Sequence, residues 1–493
     1  MFKPSKYQQT VYTYIQKGSG NAVVSAVAGS GKSTTIVNAL KLIPKNKNAL
    51  FLAFNKSIVD ELQKKIGDLP NVEVSTLHSL GVRAIRKRMK VNIFGGKCSK
   101  YINERLDNGT IQSDVYEHLR PIDKFNWKKN VCTLVDLARV NLMCDEKSLN
   151  ELAQKHDLDL VDNEVKASLS VIEWDKKNIE KIDFTDMIYL PIVLNIKMPQ
   201  YDWVFIDECQ DLNSAQRNLF LKCIKPGGRF VAVGDEKQSI YGFCGADADS
   251  FNLLRTIPHT ARLPLSICYR CDQNIIKLAQ DIVPQIQWRD GAAEGEVNYE
   301  SSIEDIVDGD MILCRVTAPL VRLCMKFISQ NKKAYVKGRD IGANLCRMIE
   351  NTKADTIEYA LEVMNKDLDK IIGKLLADKL VNTQQEAIEH PRYVNAKDRV
   401  ESIAAIAEGL EKSKDVIEKI KSIFADDNGN GICLSTVHKS KGLENDRVFI
   451  LCPDKLPLKG CMNIPWMAEQ EMNLKYVAYT RAKHYLGFIK DFA

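Results

Sequence analysis

The stretch AVAGSGKST at residues 26–34 decides the fold of this chain. A short apolar run at residues 22–27 leads into it, and a helix-compatible segment follows at residues 34–42. This order of strand, small-residue loop and helix is typical of a phosphate-binding loop, because small residues allow several backbone N–H groups to face one anion. The residues expected to surround the phosphates are Ala28, Gly29, Ser30, Gly31, Lys32, Ser33 and Thr34.

Two side chains of this loop would carry its chemistry. Lys32 is expected to reach the outer phosphates of a nucleoside triphosphate, and Ser33 is expected to hold Mg²⁺. Ala26 stands where the general pattern has its first glycine, which loosens the match at one position. The alternative is a Gly-Ser turn before an amphipathic helix. It is disfavoured because the other positions and both flanking elements agree with a phosphate loop.

Length and composition limit the class of protein. A chain of 493 residues predicts about three or four units. The net charge of +5 permits a nucleic-acid partner without arguing for one. No apolar run approaches the ~18 residues of a membrane span, and no signal-peptide pattern is present, so we expect a soluble intracellular protein without membrane contact. The 14 cysteines are scattered, which suits a reducing compartment, and the close pair Cys268 and Cys271 lacks the partners of a zinc site.

Predicted strands alternate with helices in two regions of the chain, which indicates an α/β fold with parallel sheets. Two strand-poor, charged segments interrupt these regions, so we expect two cores that each contain a mostly helical insert. We also expect one amphipathic helix over residues 404–423 and a helix through residues 474–483. The predicted bounds are 1–85 and 183–262 for the first core, 86–182 for its insert, 263–342 and 426–493 for the second core, and 343–425 for its insert.

Polar residues follow two predicted strands of the first core. In DECQD at residues 207–211, Asp207 suits a Mg²⁺ ligand and Glu208 suits a base that polarises an attacking water. Gln238 follows the next strand and could hydrogen-bond the terminal phosphate. Two acids at a strand end alone would be a solvated turn more often than a catalytic pair, but a phosphate loop upstream reverses that preference.

Taken in order, AVAGSGKST, DECQD and GDEKQSIYGFCGAD resemble the nucleotide-site motifs of superfamily 1 DNA helicases of the UvrD, Rep and PcrA type. Further segments are similar to motifs of the same family: KYQQT (6–10), STLHSLG (75–81), DFTDM (183–187), CYRC (268–271), STVHKSKGLE (435–444) and YVAYTRAK (476–483). The matches span the cores but not the two inserts. The resemblance implies that both cores are RecA-like.

For the nucleotide, the resemblance implies ATP with Mg²⁺. It places Gln8 on the adenine base, Tyr269 stacked against that base, and Glu444 on the ribose. It assigns Arg270 and Arg481 to the terminal phosphate, where cations stabilise the charge that builds up during hydrolysis. Since these arginines come from the second core, ATP is expected between the cores, and closing that cleft would be a mechanical step.

For DNA, the resemblance implies a base-stacking platform at Phe243, in place of the usual tryptophan, with Tyr241 beside it. Core packing is the alternative for Phe243. His78, Thr436 and His438 are implied as backbone contacts, although a histidine is often simply satisfied by its neighbours. A basic helical face either follows a phosphate backbone or is a solvated surface, and it consists of Arg83, Arg86, Lys87 and Lys90.

The chain departs from the family pattern at several points. FLAFNKS at residues 51–57 is one residue shorter than the first DNA motif, so it does not define a base pocket at Phe54. Cys244 stands where arginine is common, and Asn445 stands where an apolar residue is usual. The second insert is also shorter than in large bacterial members.

These observations predict an ATP-dependent helicase that moves on single-stranded DNA, with 3′ to 5′ polarity implied by the resemblance. Its expected partners are single-stranded DNA, junctions of single- and double-stranded DNA, and replication or repair proteins. Its expected location is the cytoplasm of a bacterial or virus-infected cell. The alternatives are a translocase that clears bound proteins without efficient unwinding and a nucleotide-gated DNA-binding module.

Overall fold

The computed structural model describes residues 3–67, 69–109, 114–118, 121–156, 158, 160, 163–240, 250–425, 431–490 and 492. Its contacts divide the chain into two compact units. The first unit contains residues 1–27 and 31–266, and the second contains residues 28–30 and 267–493. Among the described residues, no helix has the length and apolar character needed to cross a membrane.

The first unit is built on a six-stranded parallel sheet with the order β3-β2-β6-β7-β1-β8. Its strands, including the separate pair β4 and β5, are β1 (Asn21–Ala26), β2 (Ala49–Ala53), β3 (Val72–Thr76), β4 (Asn92–Ile93), β5 (Lys181–Ile182), β6 (Tyr201–Ile206), β7 (Ile224–Gly234) and β8 (Thr260–Leu265). All residues of β2 and β6 are buried, as expected for a parallel sheet covered on both faces. The neighbours β6, β7 and β1 therefore bring their carboxyl ends together.

Helices cover this sheet and form its insert. They are α1 (Lys6–Lys17), α2 (Lys32–Leu40), α3 (Lys56–Ile66), α4 (Leu77–Arg88), α5 (Lys97–Asp107), α6 (Asp114–His118), α7 (Pro121–Asn141), α8 (Glu146–Lys155), α9 (Glu164–Lys177), α10 (Asp186–Val193), α11 (Ser214–Lys222) and α12 (Ser250–Thr256). Helices α5 to α9 share a core of their own around Trp127. The described part of residues 86–182 is therefore mostly helical, as predicted.

A buried ion cluster joins this insert to the sheet-bearing part of the first unit. Arg139 of α7 lies 3.0 Å from Asp186 and 2.8 Å from Asp183, while Lys97 of α5 lies 2.6 Å from Asp186. Asp175 of α9 accepts from Arg139 over 3.1 Å. Removing one member would leave buried charges unpaired, so the cluster specifies how the insert attaches.

The second unit is built on a seven-stranded parallel sheet with the order β11-β17-β16-β12-β15-β13-β14. Its strands, including the separate parallel pair β9 and β10, are β9 (Ile267–Cys268), β10 (Gln287–Trp288), β11 (Glu296–Asn298), β12 (Met311–Cys314), β13 (Ala334–Lys337), β14 (Phe424–Ala425), β15 (Ile432–Thr436), β16 (Asn445–Leu451) and β17 (Ala482–Ile489). The fold is thus mixed α/β with two RecA-like parallel-sheet cores, which confirms the predicted class.

The helices of the second unit include the predicted helical segment that follows β13. They are α13 (Gln273–Gln280), α14 (Ala318–Ser329), α15 (Arg339–Thr352), α16 (Ile357–Ala377), α17 (Gln384–Glu389), α18 (Pro391–Ala407), α19 (Ser413–Ile423) and α20 (Pro465–Tyr479). Helices α15, α16, α18 and α19 pack into the same apolar core as the sheet.

Two predicted helices differ from the structure. The single helix expected over residues 404–423 is wrong, because the chain breaks between α18 and α19, where Gly409 adopts a φ of 76°. The helix expected through residue 483 ends at Tyr479, because β17 already begins at Ala482. Strand β8 also continues to Leu265, past the predicted boundary at residue 262. The four-part division of the chain stays a prediction.

Candidate functional site

The phosphate loop has the backbone that its glycines allow. Gly29 and Gly31 have φ values of 66° and 74°, in the left-handed region that favours glycine, and Gly31 caps the start of α2. Ser30 is buried, and its Oγ has no hydrogen-bond partner among the described residues. A buried hydroxyl without a partner at the start of a helix suits an anion that accepts its proton. Ala28 is also buried, whereas Ser33 and Thr34 are exposed.

Lys32 forms the centre of a charged cluster in the first unit. Its Nζ lies 2.7 Å from Glu208 Oε1. Burial opposes the charged form of Lys32, but the carboxylates of Glu208, Asp207 and Asp235 raise its pKa above the ordinary value. The structure therefore brings together the predicted phosphate-binding cation, the predicted base and the predicted metal ligand. Asp235 is a further member that the sequence analysis missed.

Excess negative charge surrounds this lysine. Burial, followed by repulsion from Glu208, raises the pKa of Asp207 to about 6. Burial also raises the pKa of Asp235 to about 6, although Lys32 opposes that change. A cluster with one cation and three carboxylates would favour an additional cation.

The backbone of Glu208 is strained. Its φ is 51°, a left-handed conformation that is unusual for a residue other than glycine. Two hydrogen bonds to nearby residues hold Glu208 in this conformation. Its N–H donates to Asp207 Oδ1 over 2.9 Å, and its Oε2 accepts from Gln210 Nε2 over 2.6 Å. This geometry turns the Glu208 carboxylate toward Lys32.

Gln210 links the ends of β6 and β7. Its Oε1 accepts from Asp235 N–H over 3.1 Å, while its Nε2 donates to Glu208. Asp235 in turn accepts from Gln238 Nε2 over 2.7 Å. The predicted phosphate sensor, Gln238, is thereby connected to the predicted base through two residues. Gln210 had no predicted role, although its position after a strand could have indicated one.

Gln8, the predicted adenine contact, has a structural role in the first unit that the sequence analysis did not predict. The residue is buried and completes a capping box with Ser5 at the start of α1. Its Nε2 donates to Thr35 Oγ1 of α2 over 3.1 Å. Gln8 thus ties α1 to the helix that follows the phosphate loop, and its contact with adenine stays a prediction.

The oxygen donors at this place fit Mg²⁺. Ser33 offers an exposed hydroxyl in the first turn of α2, and Asp207 offers a carboxylate at the end of β6. Among the residues that the structure describes, no three His, Cys, Asp or Glu side chains are arranged to hold a metal by themselves. Mg²⁺ commonly takes only one or two protein ligands and fills the rest with water and phosphate oxygens, so this donor set suffices.

In the second unit, both predicted arginines are hydrogen-bonded to Thr480, which lies between α20 and β17. Arg270 Nη1 donates to the carbonyl oxygen of Thr480 over 3.0 Å, and its Nε donates to Glu444 Oε2 over 2.6 Å. Arg481 Nη2 donates to the hydroxyl of Thr480 over 3.2 Å, and its Nε donates to the Val477 carbonyl over 2.9 Å. Thr480 therefore fixes both guanidinium groups, a role that the sequence analysis missed.

Tyr269 and Glu444, the predicted contacts of the adenine and the ribose, lie beside Arg270. Tyr269 is 40% exposed, which leaves its ring face accessible for stacking. Glu444 also lies 3.7 Å from Lys483, so this predicted ribose contact sits between two cations. Within the second unit, Ala28 N–H donates to the hydroxyl of Tyr476 over 2.8 Å.

The structure describes three of the five predicted DNA contacts, namely His78, Thr436 and His438. Tyr241 and Phe243 lie outside the described residues. His78 lines a crevice with Phe54 and Asp207 in the first unit, and burial lowers the pKa of this histidine. Its position connects a predicted DNA motif to the carboxylate cluster.

In the second unit, Thr436 ends β15 and is buried. Burial lowers the pKa of His438 to about 3, with further contributions from the charges of Arg315 and Lys439. His438 is therefore neutral at physiological pH. A neutral imidazole can donate one hydrogen bond but carries no positive charge.

The basic face of the first unit is only partly available. Arg83 pairs with Glu73, whereas Arg86, Lys87 and Lys90 are exposed. Helix α4 ends at Arg88, so Lys90 lies beyond it. The choice between a phosphate-tracking face and a solvated surface stays open.

Comparisons with known proteins identify relatives of both halves of the chain. Residues 7–257 match the UvrD/REP helicase N-terminal domain, and residues 378–491 match the UvrD-like helicase C-terminal domain. A probable DNA helicase II homolog from Mycoplasma pneumoniae is 24% identical over an alignment 593 positions long, which covers 95% of this chain and 82% of the relative. The F-box DNA helicase protein 1 of Schizosaccharomyces pombe is 26% identical, covering 93% of this chain and 54% of the relative.

The ATP-dependent DNA helicase PcrA of Leuconostoc citreum is 23% identical over 334 aligned residues, which cover 61% of this chain and 43% of that protein. The chain thus matches most of the mycoplasma relative and about half or less of the other two.

Proposed function

The chain belongs to the UvrD/REP helicase family, and from that premise we propose that it is an ATP-dependent DNA helicase. It moves along single-stranded DNA with 3′ to 5′ polarity and separates the strands of a duplex. One observation supports this most directly: Lys32, Glu208 and Asp207 meet at the carboxyl ends of β1 and β6, the two strands on either side of β7 in the parallel sheet, where open α/β sheets bind ligands.

In the proposed reaction, Lys32 moves its charge to the outer phosphates of ATP and releases Glu208. The freed carboxylate orients the attacking water and accepts its proton. Ser33 and Asp207 would hold Mg²⁺, which when bound supplies positive charge beside the phosphates. Gln238 would hydrogen-bond the terminal phosphate and so distinguish the substrate from the product.

Two further groups complete the hydrolytic machinery in this proposal. Arg270 and Arg481 would stabilise charge on the transferred phosphoryl group, as arginines do in phosphoryl transfer. Tyr269 would stack on the adenine, with Gln8 and Glu444 as its companions on base and ribose. The family resemblance supports these assignments, and so does the shared anchoring of both arginines on Thr480.

The proposal extends to DNA through residues next to the carboxylate cluster. His78 lines the same crevice as Asp207, and Phe243 follows Gln238 closely in sequence. Thr436 and His438 would contact the DNA backbone, while Tyr241 and Phe243 would stack on bases. The proposed substrates are single-stranded DNA and its junctions with duplex, in replication or repair inside a cell.

The test is ATP hydrolysis with and without single-stranded DNA. We expect DNA to stimulate hydrolysis, and Glu208→Gln to lower the turnover number by at least about 100-fold while ATP still binds. Glu61→Gln is a matched control, because Glu61 is exposed on α3. Hydrolysis by the Glu208 variant at the parent rate would contradict the assigned base, and no hydrolysis by the parent would favour a nucleotide-gated binding module.

A second candidate function is supported by the second insert, residues 343–425, which is shorter than in the large bacterial members of the family. This feature favours a translocase that displaces bound proteins without efficient unwinding. Parallel assays on a forked duplex and on single-stranded DNA carrying a bound protein separate the candidates. Displacement of the protein with an intact duplex would favour the translocase.

A further inference from the structure

Two cysteines flank the predicted arginine of the second unit. Cys268 ends β9 and Cys271 lies just before α13, with Tyr269 and Arg270 between them. Both thiols are buried and are hydrogen-bonded to each other. Cys271 N–H also donates to Cys268 Sγ over 3.4 Å. This is the spacing of a Cys-x-x-Cys motif, and the turn that carries it holds the two residues side by side.

The two thiols have unequal acidity. The hydrogen bond from Cys271 lowers the pKa of Cys268 to about 7, against the opposing effect of burial, with further help from backbone N–H groups and Arg270. The same hydrogen bond and burial raise the pKa of Cys271 well above its ordinary value. Cys268 is therefore the more acidic thiol of the pair, and Cys271 is the one that keeps its proton. Thiolate is the nucleophilic form of cysteine.

We propose that Cys268 and Cys271 form an oxidisable pair that hydrogen peroxide converts to a disulfide, and that this disulfide slows ATP hydrolysis by changing the position of Arg270. The thiolate of Cys268 attacks one peroxide oxygen and breaks the O–O bond, which gives a sulfenic acid and hydroxide. Cys271 then attacks that sulfur, the S–S bond forms, and the sulfenic oxygen and the Cys271 proton leave as water. Peroxide is reduced, and both sulfurs are oxidised.

The link to Arg270 runs through Thr480. Cys271 Sγ lies 3.7 Å from the carbonyl oxygen of Thr480, and Arg270 Nη1 donates to that same oxygen over 3.0 Å. Disulfide formation draws Cys271 Sγ toward Cys268 and away from that oxygen. It also closes a short covalent ring that includes the backbone of Tyr269 and Arg270, so we expect the Arg270 guanidinium to move.

The phosphate loop provides a second connection within the same unit. Tyr269 N–H donates to the carbonyl oxygen of Gly29 over 2.8 Å, and a side chain at Gly29 would meet Cys268 Sγ at 2.9 Å. Movement of Cys268 toward Cys271 therefore alters the packing beside Gly29. The expected consequence is slower hydrolysis, with little change in the fold.

Two other thiol pairs serve as internal comparisons. Cys98 is hydrogen-bonded to Cys132 in the first unit, and Cys314 is hydrogen-bonded to Cys452 in the second. Among the described residues, none of these four cysteines is hydrogen-bonded to Arg270 or Thr480. Oxidation at either pair should leave the arginines in place.

The test treats the full chain with hydrogen peroxide and maps its disulfides by mass spectrometry of peptides prepared under acid quench. We expect a bond between Cys268 and Cys271, a fall in DNA-stimulated hydrolysis of about fivefold or more, and recovery with dithiothreitol. Cys268→Ser and Cys271→Ser should hydrolyse ATP in the reduced state and resist peroxide. The double variant of Cys98 and Cys132 to serine should remain as sensitive as the parent.

Each possible result tests a different part of the proposal. Absence of the Cys268–Cys271 bond after treatment that oxidises exposed thiols would overturn the proposal, and this result needs no variant to fold. Formation of the bond with unchanged hydrolysis would overturn its effect on Arg270. Because the activity readout rests on the proposed function, the reduced parent is assayed first. A lack of hydrolysis there would contradict that function, while disulfide mapping would still test the pair.

Discussion

Lys32 Nζ lies 2.7 Å from Glu208 Oε1, so the proposed phosphate-binding cation and the proposed base neutralise each other. This pairing implies an exchange of partners when ATP binds, because Lys32 cannot serve the phosphates and Glu208 equally. A base held in an ion pair accepts protons poorly until its partner leaves. Binding of the nucleotide would therefore activate the base.

Lys32→Ala should abolish hydrolysis, because it removes the charge beside the phosphates and leaves Glu208, Asp207 and Asp235 together without their cation. A fall of at least about 100-fold in turnover number is expected from a steady-state ATPase assay. Lys41→Ala at the end of the same helix is the control, since Lys41 is exposed. Hydrolysis by Lys32→Ala near the parent rate would mean that the site lies elsewhere.

Asp207→Asn should stabilise the protein at neutral pH while it destroys activity. The pKa of Asp207 is about 6 in the fold against an ordinary 3.8, so the folded state binds the proton more tightly. The stability from that proton is fully present below pH 3.8 and is lost as the pH rises through about 6. Above that range the ionised carboxylate destabilises the fold, by on the order of 3 kcal/mol.

Thermal melting of Asp207→Asn and the parent between about pH 4 and pH 7.5 checks this prediction. The variant should melt higher at the upper pH, and the difference should shrink toward the lower pH. Asp60→Asn, at an exposed position of α3, should follow the parent throughout. A lower melting temperature of Asp207→Asn at neutral pH would show that Asp207 stabilises the fold as an anion.

Thr480→Val should lower the turnover number more than it changes KM for ATP. The substitution keeps the shape of the side chain but removes the hydroxyl that accepts from Arg481 Nη2. Arg481 retains its bonds to Val477 and Leu443, so a moderate fall of about tenfold is expected. Thr480→Ser should restore the rate because it returns the hydroxyl. An equal loss in both variants would indicate a packing defect instead of a lost anchor for Arg481.

Phe243→Ala should weaken DNA-stimulated hydrolysis more than basal hydrolysis. A base stacked on an aromatic ring contributes about 1–3 kcal/mol, and that contact exists only when DNA is bound. Rates measured across a titration of single-stranded DNA check the prediction. Equal losses in the basal and stimulated rates would favour core packing for Phe243.

The sequence predicted the sheet and its strand ends well because each signal is local. Strand β1, the left-handed glycines of the loop and α2 follow one another in the chain, so their order could be read directly. Asp207 and Glu208 likewise follow the apolar run at residues 203–206 that ends β6. Parallel strands place such ends at one edge, which is why the predicted catalytic side chains of the first unit meet.

The links between these ends were harder to predict because they join residues far apart in sequence. Gln210 connects to Asp235 only because β6 and β7 are neighbours in the folded sheet. The ion cluster around Arg139 and Asp186 depends in the same way on how the insert packs. The broken helix at Gly409 has another cause: its apolar spacing continues across a residue that needs a positive φ.

The most direct test of the central claim is unwinding of matched duplexes that carry a single-stranded tail at either the 3′ or the 5′ end. The parent with ATP and Mg²⁺ should separate the 3′-tailed duplex and leave the 5′-tailed duplex paired, and Glu208→Gln should separate neither. Hydrolysis stimulated by both substrates with no strand separation would contradict a helicase. Preferential separation of the 5′-tailed duplex would contradict the proposed polarity.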